Sequence, residues 1–451
     1  MKGCNRKRNA GTILVLATVS MTALLAMAGL ALDVGKTYGV RAKLYAAVDA
    51  AALAAASAVA EGEIKAKDAA EKYFAGNMPT EYLGSTFTLK RDDINISFNS
   101  KGDATIDVSA TADVPTFFLP VIGKDLIGVG VNAQTVRRAV DLALVVDNTG
   151  SIGGAGDMVT ARSQEFVQKF HANYDRLALI NYAYGAKVLV PFTADRGYNQ
   201  DAMVTSIGAN FNYSGYTNSS EGMWAGLQAH HKLTNPASLR IIVFFTDGSP
   251  NTFSSEFSLG EVKYKGAIRS NDSKTGNTAG LWQPTEVNEK LPLLGYLGTN
   301  LYKQLTVLPE YDNLHTGIGD KFKLVNPSHP RRPVSQLTAS ADTNEYRYEY
   351  YRKINHISRN LVEDMAERAR EQGIFVFTLG LGSLLTQKTG PENIRKEREV
   401  SEKMLLRMAN DPRSADFNVV QPEGIYCYAA TEQSLGPCFE EIRKAVIRLS
   451  R

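Results

Sequence analysis

Cysteine and net charge are both scarce in this sequence of 451 residues. Only three cysteines occur, which is too few for a small disulfide-stabilised scaffold. The formal net charge of +3 is small for this length, so no nucleic-acid partner is expected. Hydrophobic residues make up 44% and charged residues 22% of the sequence, which is ordinary for a globular protein. The length predicts two or three structural units.

The motifs of common catalytic sites are also missing. Six histidines are scattered, and the side chains of the one adjacent pair, His230 and His231, would point apart on a helix. The sequence contains no Gly-x-Ser-x-Gly, His-Glu-x-x-His, phosphate-binding loop or Cys-x-x-Cys. Gly380-Leu381-Gly382 does not have the sequence context of a dinucleotide-binding turn. We therefore expect no catalytic activity.

The N-terminal region contains a long run without charge. Residues 1–9 include four basic side chains and no acid, and residues 10–32 are uncharged and long enough to cross a bilayer as a helix. Basic residues before this run and Asp33 after it predict a cytoplasmic N-terminus, with the bulk of the chain outside. A cleaved signal peptide is the alternative, because Ala26-Met27-Ala28 is similar to a small-residue cleavage site. We favour a retained helix because the apolar run is long for a signal peptide.

Residues 33–137 show first a helical and then a strand pattern. Residues 33–77 are rich in alanine and predict that the helix continues to about Val59, with Gly62 as its stop. Residues 78–137 predict a small antiparallel sheet, with strands at Thr86–Lys90, Asn95–Phe98, Ala104–Ala112 and Gly128–Val136. The apolar run Phe117–Gly123 interrupts these strands. We expect it to pack into a core, with the helix, the membrane surface and the next domain as alternatives.

Polar side chains follow two apolar stretches that predict buried strands. The first stretch, Ala139–Val146, leads into an acid and two hydroxyls spaced by one residue, and the second, Leu239–Thr246, leads into another acid. A Gly- and Ser-rich loop between them offers a third hydroxyl. Ligands of open α/β sheets bind at the carboxyl ends of strands, and such oxygen atoms suit Mg²⁺ or Mn²⁺. The candidate ligands are Asp147, Thr149, Ser151, Thr217 and Asp247. Taken alone, the first cluster also fits an Asx-type turn.

Strand and helix patterns alternate from residue 138 to the end of the chain and predict an α/β fold with a doubly wound, mostly parallel sheet. The predicted elements are helix Met158–His171, strands Leu177–Tyr182 and Lys187–Phe192, helices Ser219–His231 and Ile354–Gln372, strands Ile374–Leu379 and Gly424–Ala429, and a closing helix to Leu449. Residues 252–352 form an insertion far longer than a usual connection. We expect a lid or subdomain near the metal edge, with a solvated, partly disordered insertion as the alternative.

Two smaller features leave alternatives open. The tyrosine-rich stretch Tyr346–Tyr351 fits either a contact surface for carbohydrate or protein, or packing of the insertion onto the sheet. Cys427 and Cys438 fall on the predicted last strand and closing helix, outside the cytoplasm, where two thiols can pair. A disulfide needs a short Cβ–Cβ distance, which a strand and the helix after it do not always provide.

The candidate ligand set resembles the metal-ion-dependent adhesion site of von Willebrand factor A domains, which reads Asp-x-Ser-x-Ser, a distant Thr, and Thr-Asp-Gly after a later strand. Thr149 stands where the family usually has Ser, which keeps the oxygen. The resemblance implies a Rossmann-like A-type domain over residues 138–451. In it, the five candidate residues would hold Mg²⁺ (or Mn²⁺ or Ca²⁺), some of them through water. One coordination position would stay open for a carboxylate from a protein ligand.

The N-terminal region resembles TadG-like proteins of the bacterial tight-adherence (Flp) pilus system. The similarity lies in the basic start, the apolar span, the Asp33-Val34-Gly35 junction and the alanine-rich helix. It implies a single-pass inner-membrane protein with its bulk in the periplasm or on the surface, and other pilus proteins as partners. The expected function is ligand binding in adhesion or pilus assembly. The alternatives are a structural pilin-like subunit with a merely stabilising metal site, and a metal-dependent hydrolase.

Overall fold

The computed structural model describes residues 8–270, 277–285, 292–297, 301–316, 321–337, 343–395 and 398–450. The chain divides into two compact units, one of Met1–Arg137 with Arg451 and the other of Arg138–Ser450. Each unit has its own buried core.

The first unit combines a long helix with an antiparallel sheet. Its elements are helices α1 (Arg8–Ala58) and α2 (Glu63–Asn77) and strands β1 (Thr86–Thr88), β2 (Ile94–Phe98), β3 (Ala104–Pro115) and β4 (Leu126–Arg137). Strand β4 pairs with β3 along its whole length, and β1 and β2 also pair with β3. In the described part of the chain, α1 is the one helix long and apolar enough to span a membrane.

The outer part of α1 packs on the sheet. Helix α1 ends in a 3-10 turn, Val59–Glu61, before Gly62, whose φ of 110° only glycine adopts readily, in agreement with the predicted stop. Val40, Leu44 and Val48 of α1 are fully buried with apolar side chains of β3. The alanine-rich extension and the β-rich region therefore share one core.

The expectation that Phe117–Gly123 packs into a core is wrong. This run forms the connection between β3 and β4, with a 3-10 turn at Leu119–Ile122. Phe117, Val121 and Ile122 are exposed to 72%, 90% and 72%. The connection leaves the sheet, so its side chains have no core to enter.

The second unit is a doubly wound sheet with an inserted second sheet, which confirms the predicted fold class. Its strands are β5 (Val140–Asp147), β6 (Arg176–Tyr182), β7 (Ala186–Val190), β8 (Leu239–Thr246), β9 (Thr252–Leu259), β10 (Val262–Ser270), β11 (Thr278–Trp282), β12 (Pro292–Leu297), β13 (Phe375–Leu381) and β14 (Tyr426–Ala429). Its helices are α3 (Gly156–Val167), α4 (Gln200–Asn210), α5 (Ser219–His231), α6 (Leu301–Gln304), α7 (Asn344–Glu371), α8 (Glu392–Arg395), α9 (Ser401–Ala409) and α10 (Leu435–Leu449).

The main sheet has the strand order β14-β13-β8-β5-β6-β7, and all of its pairings are parallel except that of the edge strand β7. Every residue of β5 and β6 is buried, because helices cover both faces. Helices α3, α4 and α10 share a core with one face, and α5, α7 and α9 share a core with the other.

The described part of the insertion is folded. Strands β9 to β12 form an antiparallel sheet of four strands. Phe253, Phe257 and Ile268 of this sheet are buried in the same core as α5 and α7. The described residues of the insertion therefore pack on the main sheet's helices, and the choice between a lid or subdomain and a solvated, partly disordered insertion stays a prediction for the segment as a whole.

The structure also bears on two smaller alternatives. Helix α7 begins at Asn344, earlier than predicted, and Tyr346, Tyr350 and Tyr351 on its first turns are buried, so they pack rather than form a contact surface. Cys427 and Cys438 are joined by a disulfide with a Cα–Cα distance of 5.5 Å, which lies in the usual range.

Candidate metal centre

Two adjacent strands bring the two predicted acids together. Strands β5 and β8 are parallel neighbours, with Val146 opposite Phe245. Asp147 is the last residue of β5, and Asp247 directly follows the last residue of β8. Both carboxylates consequently lie at the carboxyl edge of the sheet, where open α/β sheets bind ligands.

Four of the five predicted ligands form one hydrogen-bonded group. The Thr149 amide donates to Asp147 Oδ1 at 2.9 Å, and Ser151 Oγ donates to Asp247 Oδ1 at 2.7 Å. Thr149 Oγ1 lies 3.1 Å from Ser151 Oγ. The Asp147 carboxylate thus takes part both in the predicted Asx-type turn and in the predicted oxygen cluster.

Burial disfavours the charged forms of both acids, and the charge of Asp147 adds to this effect at Asp247. Asp147 is completely buried and Asp247 nearly so, and Ser151 is the exposed member of the group. Burial raises the pKa of Asp147, although hydrogen bonds from Thr246, Thr149 and Tyr182 oppose the shift. Burial, followed by the charge of Asp147, raises the pKa of Asp247. No basic side chain in the described residues forms an ion pair with either acid.

Thr217, the fifth predicted ligand, lies in the adjacent loop and is not part of this hydrogen-bonded group. Its amide donates to Asn251 Oδ1 at 3.0 Å, and its carbonyl oxygen accepts from the Asn251 amide at 3.1 Å. The same loop approaches the first motif where the Gly150 amide donates to the Gly215 carbonyl oxygen at 3.2 Å. The side chain of Thr217 is buried.

Three residues that the sequence did not single out position this site. Thr246 Oγ1 donates to Asp147 Oδ2 at 2.7 Å, and the Tyr182 hydroxyl lies 3.3 Å from the same oxygen. Asn148 Oδ1 accepts from the amides of Asn212 and Tyr213, both at 2.9 Å, and so fixes the loop before Thr217. Thr246 could have been found from the sequence, because it is the threonine of the Thr-Asp-Gly motif. No pattern in the sequence marks Asn148 or Tyr182 as part of the site.

A cleft of about 450 Å³ opens beside the exposed edge of the group. Ser151 and Asp247 lie in its wall, together with Leu381–Leu384 and Ala430–Gln433. Leu381 ends β13 and the others follow β13 or β14, so the cleft lies above the carboxyl ends of neighbouring strands. A ligand can therefore reach Ser151 and Asp247 from outside.

The insertion contacts the loop that carries Thr217. Its first residue, Thr252, donates its amide hydrogen to the Thr217 carbonyl oxygen at 3.3 Å, next to the contacts that Asn251 makes with Thr217. Arg269 of β10 stacks 3.8 Å above the ring of Tyr216. No described residue of the insertion lines the cleft at Ser151 and Asp247. The insertion thus contacts the loop before the cleft, and its role as a lid stays a prediction.

The donor atoms fit a hard divalent cation. Two carboxylates and three hydroxyls are oxygen ligands of the kind that Mg²⁺, Mn²⁺ and Ca²⁺ prefer. No cluster of three or more His, Cys, Asp or Glu suited to a metal occurs in the described residues, so an ion here depends on the hydroxyls. A cation would also stabilise the charged forms of the two buried carboxylates, which no basic side chain among the described residues contacts as an ion pair.

Comparison with known families identifies this domain. Residues 142–249 match the model of the von Willebrand factor type A domain, and this range contains all five predicted ligands. The second unit therefore contains an A-type match over these residues, within its doubly wound sheet. Residues 11–58 match the model described as putative Flp pilus-assembly TadE/G-like. The chain thus combines a TadE/G-like N-terminal segment with an A-type domain, as its sequence patterns predict.

Solved structures of low identity accompany these matches. The vWF domain of a type V pili tip protein from Porphyromonas gingivalis is 16% identical with a TM-score of 0.40, covering 70% of this chain and 98% of that one. The PilB minor pilin from Streptococcus sanguinis is 14% identical with a TM-score of 0.39, covering 82% and 80%. Proximal thread matrix protein 1 from the mussel byssus, with a zinc-occupied MIDAS motif, is 10% identical with a TM-score of 0.33, covering 70% and 46%. The search of curated proteins found no match.

The family matches set the broad class of the protein. Neither family description names a reaction, and one of them names pilus assembly. The apolar helix and the TadE/G-like match together indicate a membrane-anchored extracellular protein associated with a pilus.

Proposed function

We propose that this protein is a component of a bacterial tight-adherence pilus system whose A-type domain binds a protein ligand through a divalent cation. A single helix within α1 anchors it in the inner membrane, with the bulk in the periplasm or on the cell surface. Asp147, Thr149, Ser151, Thr217 and Asp247 hold the ion, Mg²⁺ in the first instance. The protein acts by binding and not by catalysis.

The observation that carries this proposal is the oxygen cluster at the carboxyl ends of β5 and β8. Three successive hydrogen bonds already link four of the candidate ligands, Asp147, Thr149, Ser151 and Asp247. Only Ser151 is exposed, on the side where the cleft opens. A cation held here would present its open coordination position to the cleft, where a carboxylate of a partner supplies the missing oxygen ligand.

Replacing Asp147 with alanine is expected to abolish stabilisation of the A-type domain by Mg²⁺. A ligand at one hundred times its dissociation constant stabilises the folded state by about 2.7 kcal/mol, and this gain disappears with the site. Thermal unfolding of the full chain in detergent would measure it through tryptophan fluorescence, with and without Mg²⁺. Both tryptophans, Trp224 and Trp282, lie in the second unit.

Asp157→Ala is the matched control, because it removes an exposed acid from the first turn of α3, outside the oxygen cluster. This variant should keep the full response to Mg²⁺. If Asp147→Ala responds to Mg²⁺ as the unmodified chain does, the ion is held elsewhere and the metal proposal is wrong.

A structural role in pilus assembly is the second candidate, because the TadE/G-like match covers most of α1. In that case α1 packs with pilins, and the metal site stabilises the domain or binds an assembly protein. Immunoblots of mechanically sheared filaments and of washed inner membranes separate the two roles. We expect the protein with the filaments if it displays the A-type domain as an adhesin. Retention in the membrane fraction would favour an anchored assembly factor.

A further inference from the structure

The connection between β3 and β4, residues 116–125, is held against α1 by one buried acid. We call this segment the hairpin tip. Asp33 of α1 accepts hydrogen bonds from three successive amides of the tip, those of Phe117, Phe118 and Leu119, at 2.8, 2.9 and 3.0 Å. Lys36, one turn further along α1, donates to the Pro115 carbonyl oxygen at 2.6 Å. These bonds fix the tip at one level of the helix.

That level is the outer end of the apolar span. Asp33 is the first charged residue after the uncharged run 10–32. Phe118 reaches further back and lies directly on Gly29, where a Cβ atom would come within 2.4 Å of its ring. Four residues of helix correspond to about 6 Å along the axis. The tip therefore overlaps the last turn of the segment that would lie in the bilayer.

The tip exposes apolar side chains at this level. Val121 is 90% exposed and Ile122 and Phe117 are each 72% exposed, whereas Ile106, Val108 and Val114 of β3 are fully buried in the core. Leu24 and Leu25 of the apolar span are likewise exposed. The exposed apolar surface of the helix thus continues onto the tip. Lys36 lies at its edge, with Nζ 4.4 Å from the centre of the Phe117 ring.

We propose that the hairpin tip inserts into the interfacial layer of the same bilayer that α1 spans. This inference rests on the proposed membrane anchoring. An apolar surface at the boundary of a span gains free energy by entering the headgroup and acyl boundary, while nearby lysines remain at the headgroups. Phe117, Val121 and Ile122 are the inserted side chains. The occupant is lipid, because the tip is continuous with a helix surface that faces lipid.

The inserted tip gives the first unit a second attachment to the membrane. A protein anchored by a single helix can still rotate about the helix axis and move slightly along it. Because Asp33 ties the tip to α1, insertion on one side fixes both the depth of the helix and the face of the first unit that turns toward the bilayer.

Single cysteines carrying an environment-sensitive fluorophore would test this in the full chain reconstituted into liposomes. Cys4 is replaced by serine, and labels are placed at Val121 (tip), Val420 (an equally exposed apolar residue of the second unit) and Leu24 (apolar span). Lipids carrying quenchers at shallow or deep positions are then added. We expect the label at 121 to be quenched several-fold more than that at 420, and more by shallow than by deep quenchers.

The label at 24 separates failure of this inference from failure of the membrane anchor. Quenching at 24 without quenching at 121 would overturn the insertion of the tip alone. No quenching at either position would overturn both proposals. A blue-shifted label at 121 that lipid quenchers do not affect would show that protein, such as a second copy of the chain, covers the tip, and this also contradicts insertion.

Discussion

Replacing Glu363 with glutamine is expected to lower the free energy of unfolding of the A-type domain by about 3–5 kcal/mol at neutral pH. The Glu363 side chain lies on α7 and is only 1% exposed. Its carboxylate contacts Arg332 of the insertion at 3.0 Å and Arg407 of α9 at 2.7 Å. Glutamine keeps the shape but removes the charge that these two buried guanidinium groups face. They then retain the partly exposed Glu399 and, for Arg407, the exposed Asp416 at 3.8 Å.

The same carboxylate predicts how stability depends on pH. Burial alone would raise the pKa of Glu363, but the guanidinium groups of Arg332, Arg407 and Arg331 lower it to about 2, from 4.5 in the unfolded chain. An acid with a lowered pKa contributes full stability above its unfolded pKa and loses it as the pH falls toward its folded pKa. Stability should therefore fall between about pH 4.5 and pH 2 in the unmodified chain, and fall less over this window in Glu363→Gln.

Chemical denaturation of the full chain in detergent, followed by tryptophan fluorescence, would measure both effects. The matched control is Glu371→Gln on the same helix, because Glu371 pairs with Arg368 at the surface, where such pairs contribute at most about 1 kcal/mol. Equal stability of the two variants would mean that the buried network does not hold the insertion to α7 and α9.

Replacing Arg176 with methionine should be comparably severe, at about 3–5 kcal/mol. Arg176 begins β6 opposite Asp141 of β5, and both side chains are fully buried. Two parallel bonds of 2.8 Å join Arg176 to the two carboxylate oxygens of Asp141. Its other donors reach the Ala194 carbonyl oxygen and Asn235. Methionine fills much of the volume but leaves a buried carboxylate without its main partner.

The double variant Asp141→Leu, Arg176→Met is the informative comparison. It should recover part of the stability that the single variant loses, because no buried carboxylate is then left, and Arg196, which is 21% exposed, can turn to water. The response to Mg²⁺ should persist in both variants, because Asp141 and Arg176 lie at the amino ends of the strands, away from Asp147. A double variant no more stable than Arg176→Met would show that Asp141 does not cause the loss.

Strands and helices with strong apolar periodicity could be predicted from the sequence. Leu239–Thr246 and Ser219–His231 have the predicted bounds, because a continuous apolar run and a regular helical pattern each end at polar residues. The first unit shows the limit of this approach. The run Phe117–Gly123 is as apolar as a core strand, and composition alone could not reveal that it lies outside the sheet.

The candidate site also has a part that the sequence predicts and a part that it does not. The order of the motifs along the chain identified Asp147, Thr149, Ser151 and Asp247, because strand ends in a parallel sheet meet at one edge. Asn148 and Tyr182 could not be found this way, since their roles depend on loops and strands that meet only in three dimensions. The inserted sheet was also missed. Its strands mix Ser, Thr and Lys with apolar residues, so their periodicity is weak.

The position of the insertion also affects the order in which the domain can fold. Strand β8 lies between β5 and β13, yet β13 follows β8 only after the whole insertion has been made. Until then β8 is an apolar strand with one open edge, which invites pairing with other chains. Because β13 lies far from β8 in the sequence, their pairing is a long-range contact, and such contacts slow folding. A chain that stops before Phe375 should therefore aggregate, and a chaperone that shields β8 would benefit the complete chain most while the insertion emerges.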